Sequence, residues 1–176
     1  MVDQRNNPPH WSPDERYFAL AENGMLTIWD FPSWQEFQTP IPRIHSSMAW
    51  SPNRPQLALW VPPDEKHPAE IRIFNARTHE TEATAPVLNA SNILFAWSPC
   101  GSYLLALCQL TLKKGKTGTT ILVFRVRERD IPVDRFEIKE KVYAFEWSVC
   151  DCFLCSISTF LILVRISLSS PLLTGH

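Results

Sequence analysis

A tryptophan followed by a tight turn occurs four times in this chain, and it constrains the fold more than any other feature. The third copy reads Trp-Ser-Pro-Cys-Gly, where an apolar run from Ile93 ends at Trp97 and a second run leaves from Tyr103. Serine, proline and glycine at the first, second and fourth positions are typical of a type I β-turn. Two apolar runs joined this tightly are predicted to be antiparallel neighbours.

The same pattern begins at three other tryptophans. Trp11 and Trp50 are each followed by Ser-Pro, Trp147 is followed by Ser-Val, and an apolar run comes after each turn. The four tryptophans are 39, 47 and 50 residues apart, which lies in the period range of repeat proteins. The sequence therefore predicts an all-β repeat protein whose structural markers are Trp11, Trp50, Trp97 and Trp147.

Composition narrows the class of protein further. The 176 residues suffice for one domain with a sizeable core, and 45% apolar with 20% charged residues is typical of a soluble globular protein. A net charge of −1 excludes an overall basic field that attracts nucleic acid or membranes. Fifteen prolines against five glycines indicate many turns and few helices.

Localisation is predicted from the cysteines and from the ends of the chain. Five cysteines, three of them within residues 150–155, argue against a disulfide framework and for a reducing compartment. Residues 2–10 are polar and predict no targeting segment. The apolar patch at 161–164 is cut short by Arg165 and is too short to span a membrane. We therefore expect a cytoplasmic protein.

Each repeat is predicted to fold as four short strands, a to d. In the first repeat, the Glu-Asn-Gly turn at 22–24 supplies the positive φ that joins strands b and c. The predicted strands of the four repeats are 17–21, 25–30 and 34–38; 46–50, 57–61, 70–75 and 80–84; 93–97, 103–110, 119–126 and 134–138; and 142–147 and 153–157, after which the pattern is lost across 160–173.

Four-stranded units at this spacing are blades of a β-propeller, and the Trp29-Asp30 pair is typical of a WD repeat. We predict a WD40-type propeller of about four blades, at 1–42, 43–88, 89–138 and an irregular 139–176. The marker tryptophans are predicted to pack between blades, each burying ~150–250 Å². An unclosed arc leaves strand edges bare, so we expect an incomplete arc of a larger propeller.

Two irregular segments carry a resemblance to a known family. The first is residues 57–69, LALWVPPDEKHPA, followed by residues 70–74. The second is residues 121–147, ILVFRVRERDIPVDRFEIKEKVYAFEW. Both segments resemble the B subunit of eukaryotic translation initiation factor 3. The resemblance covers about residues 11–147. It implies a non-enzymatic scaffold in translation initiation, whose propeller docks on the small ribosomal subunit and other initiation factors and whose partners include the other subunits of the factor.

The chain also departs from that family's pattern. It carries no RNA-recognition motif of the Lys/Arg-Gly-Phe type, and after Trp147 it continues with a cysteine-rich and then Ser-rich apolar ending. We interpret this ending as that of a truncated or mis-spliced product, or of a shortened gene model. The alternative function is a generic WD-repeat module that binds a protein or peptide and never meets the ribosome.

Two basic clusters are the predicted contacts with ribosomal RNA. The first is the loop residues Lys113, Lys114 and Lys116, to which Lys139 and Lys141 are possible additions, and the second is Arg125, Arg127 and Arg129. Cationic side chains contact RNA phosphates without reading sequence. Glu128 lies between these arginines, so the segment carries charges of both signs. The competing interpretation is therefore a solvated strand edge with local ion pairs.

Cofactor, metal and catalytic sites are not predicted. Gly115-Lys116-Thr117 resembles the end of a phosphate-binding loop, but no glycine lies five residues before Gly115, where that loop needs its first one. Cys150, Cys152 and Cys155 lack a fourth cysteine or histidine at metal-binding spacing. None of the five histidines is accompanied by a serine or cysteine nucleophile in a strained elbow, so we expect no enzymatic activity, no cofactor and no small-molecule substrate.

Overall fold

The computed structural model describes residues 10–44, 47–88, 90–111, 117–138, 142–147, 153–157 and 160–164. For residues 91, 111, 117, 143–146, 153–157 and 160–164 it describes the backbone alone. The lysine-rich loop 112–116, Lys139, Lys141, Cys150 and Cys152 lie outside the described residues.

Fifteen β-strands make up the described chain, and none of its residues is helical. The strands of the first half are β1 (His10–Trp11), β2 (Tyr17–Glu22), β3 (Met25–Asp30), β4 (Gln35–Pro40), β5 (Met48–Trp50), β6 (Gln56–Val61), β7 (Ala69–Asn75) and β8 (Glu80–Val87). Those of the second half are β9 (Ala90–Trp97), β10 (Tyr103–Thr111), β11 (Thr117–Arg125), β12 (Val133–Ile138), β13 (Val142–Trp147), β14 (Phe153–Ile157) and β15 (Phe160–Val164).

The strands form four separate antiparallel sheets, each in chain order, and we call them blades 1 to 4. Blades 1, 2 and 3 contain β1–β4, β5–β8 and β9–β12. Blade 4 contains the three described strands β13–β15. Such a series of four-stranded meanders is the architecture of a β-propeller, so the predicted all-β WD40-type fold is confirmed.

The loss of pattern predicted after residue 157 is wrong for part of that stretch. β15 pairs antiparallel with β14 over its whole length, from Phe153↔Val164 to Ile157↔Phe160. Residues 160–164 are all apolar and show no alternation, which is why periodicity missed the strand. β14 and β15 are therefore antiparallel neighbours in blade 4.

The turns have the predicted chemistry. The amide of Gly101 donates to the carbonyl of Ser98 at 2.8 Å, which closes the predicted turn, and Gly101 has a φ of +64°. Asn23 and Gly24, with φ of +50° and +77°, form the predicted tight turn between β2 and β3. Trp34, in contrast, lies in the β3–β4 turn with a φ of +55° rather than in strand d, which begins at Gln35.

The hydrophobic core lies between blades, because alternate residues of each strand point to opposite faces of its sheet. Tyr17, Ala19 and Ala21 of β2 pack in one cluster with Leu57 and Leu59 of β6. The other face of β6 packs on blade 3 in the same way, and blade 3 packs on blade 4. Blades 2 and 3 therefore each have one face toward the preceding blade and one toward the next.

Candidate interaction surfaces

A tryptophan hydrogen bond repeats at each of the three contacts between blades. The indole Nε1 of Trp50 donates to the carbonyl of His10 at 2.9 Å, that of Trp97 to Ala49 at 2.9 Å, and that of Trp147 to Ala96 at 3.0 Å. The acceptor always directly precedes the marker tryptophan of the preceding blade. Each of these three tryptophans therefore fixes the position of its own blade relative to the backbone of the preceding blade.

Ring stacking accompanies this bond at two of the three contacts. Trp50 stacks on Tyr17 with ring centroids 5.9 Å apart, and Trp147 stacks on Tyr103 at 6.0 Å. At the middle contact the position equivalent to these tyrosines is Gln56, which donates to the carboxylate of Glu82. The prediction that the marker tryptophans pack between blades is confirmed for the three later ones.

Trp11 departs from that prediction. Its side chain is 51% exposed, against 8% for Trp50. Within the described residues no blade lies on the side toward which Trp50, Trp97 and Trp147 point in their own blades. Instead, Trp11 contacts two rings of its own blade, Phe18 at 4.9 Å and Phe31 at 5.0 Å. Trp11 is exposed because a marker tryptophan is buried against the preceding blade, and the described residues contain no blade before blade 1.

The strand residues that flank the lysine loop lie at the end of blade 3 opposite Arg125. β10 and β11 pair from Tyr103↔Arg125 at one end to Thr111↔Thr117 at the other. The lysine loop connects the strands after Thr111, whereas Arg125 ends β11 beside the tryptophan turns. At ~3.3 Å per residue, nine-residue strands separate these ends by roughly 25 Å.

We call the end of the blades that carries the tryptophan turns the turn face, and the opposite end the loop face. On the turn face, Arg125 forms ion pairs with Glu128 at 3.2 Å and Asp134 at 3.4 Å. Arg129 is 96% exposed and lies 3.8 Å from Asp130. Exposed pairs of this kind contribute little to stability, so Arg129 presents its charge to solvent.

Arg127 and Asn53 share one acceptor, the carbonyl oxygen of Cys100, and the Asn53 bond ties blade 2 to blade 3. The Arg127 Nη2 donates to the carbonyl of Cys100 at 2.6 Å, and Asn53 of the blade 2 turn donates to the same oxygen at 2.7 Å. A Cβ on Gly101 would come within 2.1 Å of the Asn53 Oδ1, so the approach needs glycine. Arg127 thus has a structural role that the sequence pattern did not indicate.

The loop face carries an ordered turn in blade 2. Asp64 accepts the backbone amides of Lys66 and His67, both at 2.7 Å, and its carboxylate lies 3.0 Å from the His67 Nδ1. The amide hydrogen bond from Lys66, followed by the His67 side chain, lowers the pKa of Asp64 to about 2. Arg43, in the connection from blade 1, pairs with Asp64 at 3.3 Å.

A groove of about 450 Å³ lies on the turn face between blades 1 and 2. Arg16 and Asp30, paired at 3.0 Å, line its blade 1 side. His79 stacks on Phe37 with centroids 3.8 Å apart across the two blades, and Arg77 is exposed beside it. The groove brings together side chains of both signs and an aromatic surface, which is suited to a polar peptide segment more than to an apolar ligand.

Neither a metal site nor a membrane helix is present in the part of the chain that the structure describes. Its residues contain no group of three His, Cys, Asp or Glu that could hold a metal ion. Its residues form no helix long and apolar enough to cross a membrane. Burial raises the pKa of the Cys108 thiol to about 12, so this cysteine is a protonated core residue and not a reactive one.

Similarity to curated proteins extends over most of the chain. It is 30% identical over 141 residues to the B subunit of eukaryotic translation initiation factor 3 from Xenopus laevis, and 28% identical over 149 residues to the same subunit from Bombyx mori. Each alignment covers 78% of this chain. The chain spans about one fifth of the length of these relatives. No established family profile matches it.

Solved structures share the fold. A eukaryotic initiation factor superposes with a TM-score of 0.54 at 14% identity, over 88% of this chain and 48% of its own. The C-terminal WD40 domain of Sif2 superposes with a TM-score of 0.54 at 12% identity, over 88% of this chain and 43% of its own. These likenesses establish the WD40 propeller architecture, and the four described blades account for a little under half of each solved chain.

Proposed function

This chain is a relative of a segment of the B subunit of eukaryotic translation initiation factor 3, and on that premise we propose that it acts in translation initiation as a non-enzymatic propeller scaffold. The observation that carries the proposal is the similarity itself, which runs through 78% of the chain at 30% identity. We further propose a cytoplasmic protein whose partners are other subunits of that factor and the small ribosomal subunit.

The mechanism that we infer is rigid presentation of loops. Each blade is fixed to the next by a buried face and a tryptophan hydrogen bond, so the connections at both ends keep their relative positions. Many modest polar and electrostatic contacts then add to a specific affinity. Rigid elements lose little conformational entropy on binding, which favours a scaffold of this kind.

We propose that the loop face of blade 3 supplies the RNA contacts, through Lys113, Lys114 and Lys116. Because Arg125 and Arg127 already bind groups within the blades, Arg129 is the member of the arginine cluster best placed to add a contact on the turn face. Lysines reach phosphates as point charges, so the affinity they contribute depends on salt rather than on RNA sequence.

Co-sedimentation with purified small ribosomal subunits, measured as a function of salt, tests the proposal. We expect binding that weakens as salt rises, and a Lys113→Ala, Lys114→Ala, Lys116→Ala variant whose log–log salt slope falls by about 2 to 3. The matched control is Arg54→Ala, Arg77→Ala, which removes exposed charge outside both predicted clusters. That control is expected to change the slope little.

Two results would contradict the proposal at different levels. An unchanged slope in the lysine variant, with binding intact, would remove the lysine loop from the contact and leave the scaffold role in place. No sedimentation with small subunits, together with no binding to purified subunits of initiation factor 3, would overturn that role and leave a WD-repeat module for other proteins.

A further inference from the structure

The groove on the turn face between blades 1 and 2 is lined by a tyrosine whose hydroxyl is unused. Tyr17 lines this groove and is 2% exposed. Its Oη is buried and has no hydrogen-bond partner among the described residues. Burial without a partner is unfavourable for a hydroxyl group. The groove is therefore suited to a ligand that supplies the missing hydrogen bond.

Blade 2 shows which group occupies the corresponding place there. Gln56 begins β6 as Tyr17 begins β2, each six residues after the marker tryptophan of its blade. The side-chain amide of Gln56 donates to the carboxylate of Glu82, which also accepts the side-chain amide of Asn75 at 2.6 Å. In blade 2, the partner of this position is therefore a carboxylate.

Blade 1 lacks that carboxylate because its last strand has no bulge. Glu82 is the extra residue of a β-bulge in β8, since Thr81 and Ala83 pair with consecutive residues of β7. β4 pairs with β3 without any register shift, so no residue of β4 corresponds to Glu82. The groove of about 450 Å³ lies beside Tyr17, on the side of blade 1 that corresponds to the place of Glu82 in blade 2.

The charges that face the groove leave one cation without a partner. Arg16 binds Asp30 through two hydrogen bonds of 3.0 and 3.2 Å, so these two charges balance each other. Glu36 accepts the indole of Trp29 at 3.2 Å, on the face of blade 1 that points away from blade 2. Arg77 is exposed on the blade 2 side and forms no ion pair within the described residues. An anionic ligand therefore complements the groove.

We propose that this groove binds the carboxylate of an acidic side chain on a peptide segment of a partner protein. The carboxylate takes the place that Glu82 has in blade 2, where it accepts the Tyr17 hydroxyl and pairs with Arg77. The stacked rings of Phe37 and His79, 3.8 Å apart at 7°, supply a flat surface for the peptide groups beside that side chain. The site goes beyond the proposed function and does not depend on it, because blades 1 and 2 alone form the groove.

Nuclear magnetic resonance titration of the isotope-labelled chain with N-acetyl-Gly-Glu-Gly-amide tests the proposal. The matched probe is N-acetyl-Gly-Gln-Gly-amide, which has the same shape and no charge. We expect saturable shifts of the backbone amides of Tyr17, Arg77 and His79 with the glutamate probe. The glutamine probe should bind about fivefold more weakly, because hydrogen bonds to a charged acceptor are stronger than those to a neutral one.

Two variants remove the groups that hold the carboxylate. Tyr17→Phe keeps the ring and should weaken the glutamate probe about tenfold, without loss of stability, since the hydroxyl has no partner in the free chain. Arg77→Gln should weaken it about threefold, as loss of an exposed ion pair does. The matched control is Arg54→Gln, which removes an exposed charge outside the groove and should leave the affinity unchanged. The melting temperature of each variant reports whether it is folded.

Several results would overturn the proposal. They are equal affinities for the two probes, no saturable shift of the groove amides at millimolar probe, and unchanged affinity in a folded Tyr17→Phe chain. Inorganic phosphate that shifts the same amides at lower concentration than the glutamate probe would also overturn it. None of these results affects the scaffold role, which sedimentation with small ribosomal subunits tests separately.

Discussion

The Asn53 side chain of blade 2 donates a hydrogen bond of 2.7 Å to the carbonyl of Cys100 in the tryptophan turn of blade 3. Two turns that are 47 residues apart in sequence are thereby joined directly. The contact is possible because the next residue is Gly101, whose missing side chain leaves room for the Asn53 amide. Arg127 of blade 3 donates to the same oxygen and so holds the Cys100 carbonyl in place for the Asn53 contact between blades 2 and 3.

Gly101→Ala is expected to destabilise the fold by about 2 kcal/mol. A β-carbon at φ +64° costs about 1 kcal/mol, and moving Asn53 out of its way loses about one further hydrogen bond. Urea unfolding measures the change. In an Asn53→Ala background the same substitution should cost only its backbone part, so strict additivity of the two changes would contradict this account.

The equivalent serines of blades 2 and 3 should respond differently to alanine. Ser98 Oγ accepts the amide of Tyr103 at 3.1 Å, so Ser98→Ala should cost about 1 kcal/mol. Ser51 is equally buried, but its Oγ has no hydrogen-bond partner among the described residues. Ser51→Ala should therefore be near neutral or stabilising. Equal losses in chemical denaturation would show that the turn hydroxyls act through something other than this bond.

Trp50 permits the packing and the hydrogen bond at a blade contact to be separated. Trp50→Ala should cost ~3–5 kcal/mol, because a side chain that is 8% exposed leaves a cavity between blades 1 and 2. Trp50→Phe keeps most of the ring contact with Tyr17 and loses the donor to His10, so about 1–2 kcal/mol is expected. Thermal and urea unfolding provide the comparison, and identical costs would contradict a separate role for the indole N–H.

Asp64 predicts a pH dependence confined to strongly acidic solution. Its pKa is lowered from 3.8 to about 2 in the folded chain, so its contribution to stability is present above pH ~4 and is lost as pH falls through about 2. Nuclear magnetic resonance titration of the Asp64 carboxyl should show that midpoint, with faster exchange of the Lys66 and His67 amides below it. Asp64→Asn should abolish the step, and a midpoint near the ordinary value would contradict the observed turn.

The sequence predicted the bounds of the strands well where the alternation of apolar residues and the turn residues indicate the same strand ends. β3 (Met25–Asp30) and β13 (Val142–Trp147) have the predicted bounds, because a tight turn or the marker tryptophan limits them. β15 escaped prediction because continuous apolar runs carry no alternation. Trp34 was predicted to begin strand d, but its positive φ places it in the turn before that strand.

The sequence predicted which residue types form the candidate contacts, but it did not predict how they are arranged in space. Sequence proximity grouped Arg125, Arg127 and Arg129, but ion pairs hold the first and a carbonyl of the neighbouring turn holds the second. Strand pairing places Thr111 and Thr117, which flank the lysine loop in the chain, at the end of blade 3 opposite Arg125. Asn53 and Gly101 gave no sequence signal of their contact, since each is an ordinary turn residue by itself.

Repetition at the level of sequence determined the blade, the antiparallel meander and the marker tryptophans, because those depend on local turns and on alternation within about forty residues. Tertiary structure alone decided which groups those tryptophans bind and which faces are covered. Trp11 and Trp50 have the same local pattern, yet one is half exposed and the other buried. The difference arises because the burial of a blade face depends on a neighbouring blade that lies tens of residues away in the chain.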